Sequence, residues 1–367
     1  MASDSVRALG LMSGTSMDGI DAAILQSDGC EITAFGPTHY KAYSHEDRVL
    51  LRRAMDEARD LTSREARPGA LHDAETLVTE RHIAIVRQVL AEAGPVDLIG
   101  FHGQTLFHAP DRGLTVQIGD GQKLADAIGT PVVYDLRAND VANGGQGAPL
   151  VPVYHRALAM HLGIEPPLAI VNIGGVAKAT WIGCDGDLAA CDTGPGNALM
   201  NDWVKQHTGA DFDADGSLAR NGTIDAKVLS VLLDHPYFAL DWPKSLDRDA
   251  FSLSPLSGLD LADGVATLAA FTVKTLADGL RGFGQVPTKV VVCGGGTRNP
   301  VLMEMLAKEL SVPVMTMDSY GVQADFIEAQ AFAFCAIRSA NGLAVTFPGT
   351  TGVSVPLSGG KLVSPRK

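Results

Sequence analysis

Two stretches of this chain repeat one local pattern, and that repeat limits what the chain can fold into. An apolar run at residues 8–12 ends in Ser13-Gly14-Thr15-Ser16, and a second run follows at 20–25. Another apolar run at 168–173 leads into Asn172-Ile173-Gly174-Gly175-Val176 and restarts at 177–182. Strand, glycine turn, strand is the signature of a hairpin that opens a domain. Each hairpin is followed by further strands and by segments with apolar residues at helical spacing, such as 71–93 and 261–283. This order predicts a mixed α/β architecture in two related lobes rather than one sheet. The length of 367 residues agrees with roughly two domains at about 150 residues each. The expected boundary lies near Asp135, with a first lobe over 1–135 and a second over 136–340.

Further strands are expected at 31–43, 98–101, 114–118, 132–134, 188–191 and 290–293. Helices are expected at 45–60, 122–128, 151–161, 197–207, 226–233, 300–310 and 326–340. Residues 137–149 (RANDVANGGQGAP) read as loop by composition.

Composition removes several classes of function. Hydrophobic residues make up 46% and charged residues 19%, which excludes bulk disorder. The net charge of -13 repels phosphate backbones, so no nucleic-acid partner is expected. The five cysteines show no CxxC spacing and read as reduced thiols of a cytoplasmic protein. No apolar stretch reaches the roughly 18 residues of a membrane helix. The first 16 residues lack a basic segment followed by an apolar one, so no signal peptide and no membrane partner are expected. The 40 glycines fall in clusters, which suggests backbone approaching a ligand closely.

The glycine turns carry the chemistry. In Gly14, Thr15, Ser16, Met17, Asp18, Gly19, Ile20 and Asp21, glycines free backbone N–H groups to meet an anion, and hydroxyls add donors. Asp18 adds a carboxylate that could hold Mg²⁺ against phosphate charge. Asn172, Gly174 and Gly175 form a second such turn. Either turn alone reads rather as an ordinary hairpin; two at matching places favour a nucleotide clamped between them. Neither GxxxxGK[ST] nor a strand-linked GxGxxG occurs, so P-loop and Rossmann sites are unsupported. Gly294, Gly295 and Gly296 follow a strand and could lay an adenosine against bare backbone, or simply close a tight loop. In Cys191-Asp192-Thr193-Gly194-Pro195-Gly196-Asn197 a carboxylate ends a strand before a stiff turn, where a general base is useful. A turn or cap role is the commoner fate of an Asp before Thr-Gly, and Asp192 reads that way too. His102-Gly103-Gln104-Thr105 supplies polar groups suited to a sugar. Asp211 to Gly216 copies half an EF-hand loop but has Gly222 at the twelfth position, so calcium is not expected.

Taken in order, GLMSGTSMDGID, GFHGQTLFHAP, TVQIGDG, NGGQGAPLVP, NIGGVAKAT, DTGPGNALMNDW, CGGGTRNP and TTGVSVP resemble the anhydro-N-acetylmuramic acid kinases of the sugar kinase, Hsp70 and actin superfamily. The resemblance implies two actin-like (ribonuclease H-like) α/β lobes, with ATP bound in the interlobe cleft and the tail 341–367 packed back on the first lobe. It implies an ATP-dependent enzyme of bacterial cytoplasm. That enzyme opens 1,6-anhydro-N-acetylmuramic acid with water, phosphorylates O6, and recycles peptidoglycan. Asp192 would be the base that activates water. Residues 14–21, Asn172, Gly174, Gly175 and Gly294 to Gly296 would hold ATP, with Asp18 facing Mg²⁺. His102, Gln104, Arg137 and Glu328 would face the amino sugar, Arg137 meeting the lactyl carboxylate. A homodimer is the family-level expectation. Two rivals are an N-acetylhexosamine kinase and an actin-like or chaperone-type ATP switch without a sugar pocket. The first would not combine the His-Gly-Gln-Thr and Asp-Thr-Gly-Pro-Gly-Asn runs; the second would need a further protein-binding surface.

Overall fold

The computed structural model describes residues 5–246 and 250–366. Residues 1–4, part of the stretch read above for a leader, lie outside the described residues. The chain divides into two units. The first holds the described residues up to Gly163 and again from Asp325 onward; the second is Ile164–Ala324.

In chain order the first unit contains β1 (Val6–Ser13), β2 (Gly19–Ser27), β3 (Ile32–Ala42), α1 (His45–Ala58), α2 (Ala70–Ala93), β4 (Leu98–Ala109), β5 (Leu114–Ile118), α3 (Gly121–Ile128), β6 (Val132–Tyr134), α4 (Ala138–Ala142) and α5 (Pro152–His161). The second contains β7 (Leu168–Ile173), β8 (Val176–Ile182), β9 (Leu188–Pro195), α6 (Ala198–Thr208), α7 (Ser217–Asn221), α8 (Ala226–Leu233), α9 (Leu261–Gly282), β10 (Lys289–Cys293), α10 (Pro300–Leu310) and β11 (Val314–Thr316). The chain then returns to the first unit with α11 (Ile327–Ala340), α12 (Pro348–Thr351) and β12 (Lys361–Val363).

Each unit is built on a mixed sheet. The first has the order β12-β6-β4-β1-β2-β3, with β5 paired to β4. Strands β1, β2 and β3 are antiparallel, and β4 and β6 run parallel to β1 and β4 in turn. The second has the order β11-β10-β7-β8-β9, an antiparallel meander extended by two parallel strands. Helices cover the sheets, so β1 and β2 are buried along nearly all their length and read as continuous apolar runs.

Two glycines let α11 lie against the first sheet. Gly10 on β1 and Gly100 on β4 are direct register partners. A Cβ at Gly10 would overlap the Ala329 carbonyl and sit 2.5 Å from the Ala333 nitrogen; one at Gly100 would overlap the Phe332 carbonyl. With no side chain at either position, the helix backbone rests on the sheet. Helix α11 packs on β1, β2, β4 and α5.

Several expectations are corrected. The boundary falls at Gly163, not near Asp135, and α11 belongs to the first unit. The reason is that α5 packs on β3 and α11, and α11 on the first sheet. Strand β4 continues past 101 to Ala109 because it pairs with β5 beyond the kink at Gly103 (φ 69°). Strand β9 runs through Asp192 to Pro195, because residues 192, 194 and 195 pair with Lys178, Ala177 and Val176. The loop at 137–149 contains α4.

Candidate functional site

In the first unit the turn between β1 and β2 is held from below by buried polar side chains. Ser13 donates its hydroxyl to Gln104 Oε1 (2.6 Å). Its oxygen is therefore left to accept from the Tyr43 hydroxyl (3.1 Å). Gln104 Nε2 donates to the Gly14 carbonyl (3.0 Å) and the Thr105 carbonyl (3.3 Å). Above this base the chain reverses at Met17, a non-glycine residue at φ 57° with its side chain in the core. The Asp18 carbonyl accepts from the Tyr43 amide (3.0 Å) and the Tyr40 hydroxyl (3.0 Å). Gly14 is half-buried, and Thr15, Ser16 and Asp18 are exposed. Gln104, expected on the sugar side, is instead fully buried with its amide engaged by this turn.

His102 lies beside Gln104 on β4 and is 4% exposed. Its Nδ1 faces two carbonyls, Gly103 (2.9 Å) and Ser13 (3.1 Å), so Nδ1 carries the proton. Its Nε2 then presents a lone pair to Arg137, whose Nη2 and Nε lie at 3.2 and 3.4 Å. Burial, with the Arg137 charge second, holds the imidazole well below its usual value, so it is neutral.

Arg137 Nη1 donates to the Gly147 carbonyl (2.9 Å), and the guanidinium lies over the Phe332 ring at 5.9 Å. Among the described residues it forms no carboxylate ion pair. Burial lowers its pKa, and Glu328 opposes that. The loop carrying Gly147 is braced by Asp140. One carboxylate oxygen accepts the Gly147 amide (2.5 Å), and the other accepts the Thr351 hydroxyl (2.6 Å).

Asp21 on β2 is raised to about 7, first by burial, then by Glu328, Asp325 and Asp18. Neither Asp18, Asp21 nor Glu328 forms an ion pair among the described residues. Negative charge collected around Asp21 suits a divalent ion. Among the described residues no group of three or more His, Cys, Asp or Glu side chains could hold a metal. Mg²⁺ fits this arrangement all the same, because it takes one or two carboxylates, several waters and the phosphates.

In the second unit three turns meet. The Gly196 amide donates to the Gly175 carbonyl (2.9 Å), and the Asn197 amide to the Gly174 carbonyl (2.8 Å). A Cβ at Gly196 would overlap the Gly174 carbonyl. Gly294 (φ 84°) lies against the Asn172 side chain, and a Cβ at Gly296 would strike Ile173. Gly295 lies by the Asn197 amide. The predicted Asn172, Gly174, Gly175 and Gly294 to Gly296 therefore share one surface.

Asp192 is 6% exposed on β9. Its Oδ2 accepts the Leu246 amide (2.9 Å), and its Oδ1 lies 3.8 Å from Lys178 Nζ. The Tyr237 hydroxyl and the Cys191 thiol donate to its carbonyl oxygen. One carboxylate oxygen is thus fixed, and the other makes no hydrogen bond among the described residues. In the half EF-hand, by contrast, the Asp213 oxygens accept the Leu218 and Ala219 amides (2.9 and 3.0 Å).

Sequence reasoning missed Tyr43, Asp140, Lys178, Tyr237 and Phe332. Phe332 had a signal, one helical turn after Glu328. The others act through contacts distant in sequence, which no local pattern carries.

Residues 6–364 match the family described as anhydro-N-acetylmuramic acid kinase. A relative so named from Methylobacterium nodulans is 51% identical, covering 98% of this chain and all of that protein. One from Nitrobacter winogradskyi is 49% identical over 98% of this chain and 99% of its own. Among solved structures, a ROK family glucokinase from Streptomyces griseus in complex with glucose and AMPPNP aligns at 13% identity. It covers 90% of this chain and 99% of its own, with a TM-score of 0.42.

Proposed function

The chain belongs to the anhydro-N-acetylmuramic acid kinase family, and from that premise we propose how its residues divide the reaction. The enzyme uses ATP to open 1,6-anhydro-N-acetylmuramic acid with water and phosphorylate O6. The products are N-acetylmuramic acid 6-phosphate and ADP, in cell-wall recycling. Asp192 takes the proton of the attacking water. The C1–O6 bond breaks, O6 takes the γ-phosphoryl group, and ADP leaves. The acceptor is an ether oxygen with no proton to lose, so the base serves water alone. Phosphoryl transfer then needs mainly positioning and charge neutralisation.

Asp192 carries the reading: it is buried and held at Oδ2 by the Leu246 amide, while Oδ1 lies 3.8 Å from Lys178 Nζ and makes no hydrogen bond among the described residues. Residues 14–21, Asn172, Gly174, Gly175 and Gly294 to Gly296 hold ATP. Asp18 would hold Mg²⁺, which would neutralise phosphate charge when bound. Arg137, which forms no carboxylate ion pair within 4 Å among the described residues, meets the lactyl carboxylate, and Glu328 lies on the sugar side. Gln104 acts through the turn it braces. The net charge of -13 supports a reading without a nucleic-acid partner. No helix among the described residues is long and apolar enough to cross a membrane. A cytoplasmic site of action and a homodimer are the family's pattern carried to this chain.

A coupled ADP-release assay over anhydro and ordinary amino sugars tests the reading. ADP should appear with 1,6-anhydro-N-acetylmuramic acid and not with N-acetylglucosamine. Equal turnover of ordinary N-acetylhexosamines, or turnover independent of sugar, would overturn it.

A further inference from the structure

We infer that His102 is a positioning residue that joins two half-sites: its Nε2 orients the Arg137 guanidinium, and its Nδ1 fixes the backbone at the base of the phosphate turn. The inference rests on the proposed function and departs from the expectation that His102 touches sugar.

The geometry leaves His102 little capacity for a ligand. Its Nδ1–H points at the Ser13 and Gly103 carbonyls (3.1 and 2.9 Å), and its Nε2 lone pair faces the Arg137 N–H groups (3.2 and 3.4 Å). One ring face lies on Phe332, with centroids 4.6 Å apart. The side chain is 4% exposed. A protonated ring would turn an N–H against the two guanidinium N–H groups that face it, so the ring works as a neutral acceptor toward Arg137 and as a donor toward Ser13.

The connection continues on both sides. Ser13, whose carbonyl His102 holds, donates its hydroxyl to Gln104, and Gln104 donates to the Gly14 carbonyl. The turn proposed to hold phosphate is thus fixed by two neighbouring side chains of β4. On the other side the described residues restrain Arg137 through the His102 ring, the Gly147 carbonyl and the Phe332 face. A guanidinium recognises a carboxylate well only when its fork is aimed, so removing the acceptor behind it costs orientation rather than charge. Because both links pass through one rigid ring, displacement of Arg137 would be felt at Ser13.

Two conservative variants separate the links. Asn places an amide nitrogen near the Nδ1 position, and Gln places an oxygen near the Nε2 position. His102→Asn should keep the Ser13 contact and lose the Arg137 contact. Its KM for 1,6-anhydro-N-acetylmuramic acid should rise about tenfold or more, the usual scale for losing a hydrogen bond to a charged group. Its KM for ATP should move much less. His102→Gln should do the reverse. The double variants with Arg137→Lys then measure coupling: His102→Asn should add little once position 137 is changed. Equal shifts in both KM values for both variants, or simple additivity with Arg137→Lys, would overturn the inference. Thermal melting of each variant identifies loss of fold, and double-variant additivity still decides the matter if one single variant is unstable. Wild-type protein that does not turn over the anhydro sugar would fail the proposed function instead, which separates the two claims.

Discussion

At the scale of single residues, two carboxylates in buried surroundings are set up differently. Asp192 has one oxygen tied to the Leu246 amide and the other near Lys178, an arrangement suited to a base that must stay aimed. Asp192→Asn keeps the size and one acceptor but removes the basic charge. Turnover should fall about 10²- to 10⁴-fold, the usual span for a lost general base. Calorimetry should find ATP and sugar binding largely retained. An active variant, or one inactive only because it has unfolded, would remove Asp192 from the mechanism. Asp21 is different: burial and neighbouring Glu328, Asp325 and Asp18 raise it from 3.8 to about 7. Between those values the folded protein holds a proton that the unfolded chain has lost. Its contribution to stability is therefore present below the lower value and lost as pH rises toward the upper one. Asp21→Asn should raise the melting temperature at pH 8 relative to wild type by more than it does at pH 4, both without divalent cation. A difference independent of pH would show that the raised pKa is not felt by the fold.

At the scale of elements, the contact between α11 and the first sheet depends on Gly10 and Gly100. Gly10→Ala would drive a methyl group into the helix backbone at Ala329, which has no side-chain freedom with which to yield. The cost should lie at or above the top of the ~1–3 kcal/mol typical of overpacking. Urea unfolding measures it, and a neutral result would contradict the close approach. This contact also shows where sequence reading stops. Helices α2, α8 and α9 and the β1–β2 hairpin were legible because period and turn chemistry are local. The extensions of β4 to Ala109 and of β9 to Pro195 were not, because HGQT and DTGP look like loops until their partner strands are known. The same holds for the site. The glycine turns and Asp192 could be read from short motifs. The engagement of Gln104 by Ser13 and of His102 by Arg137 depends on residues 91 and 35 positions away.

At the scale of the whole molecule, two related α/β units were visible in the repeated hairpins, while the point of division was not. Segment 325–366 returns to the first unit after the second is complete, and β12 pairs with β6 there. Nothing in the apolar sequence of α11, which is buried on nearly every face, says which sheet it will cover; Gly10 and Gly100, more than 200 residues earlier, decide it. The central functional claim is also a statement about the molecule as a whole: one turnover joins hydrolytic ring opening to phosphoryl transfer. Its direct test is the reaction run in ¹⁸O-labelled water, quenched early and analysed by mass spectrometry. The account predicts one label, on the anomeric oxygen of N-acetylmuramic acid 6-phosphate, with the O6–phosphate bridge unlabelled. A product without label in the sugar, or with the label in the phosphate ester, would contradict it.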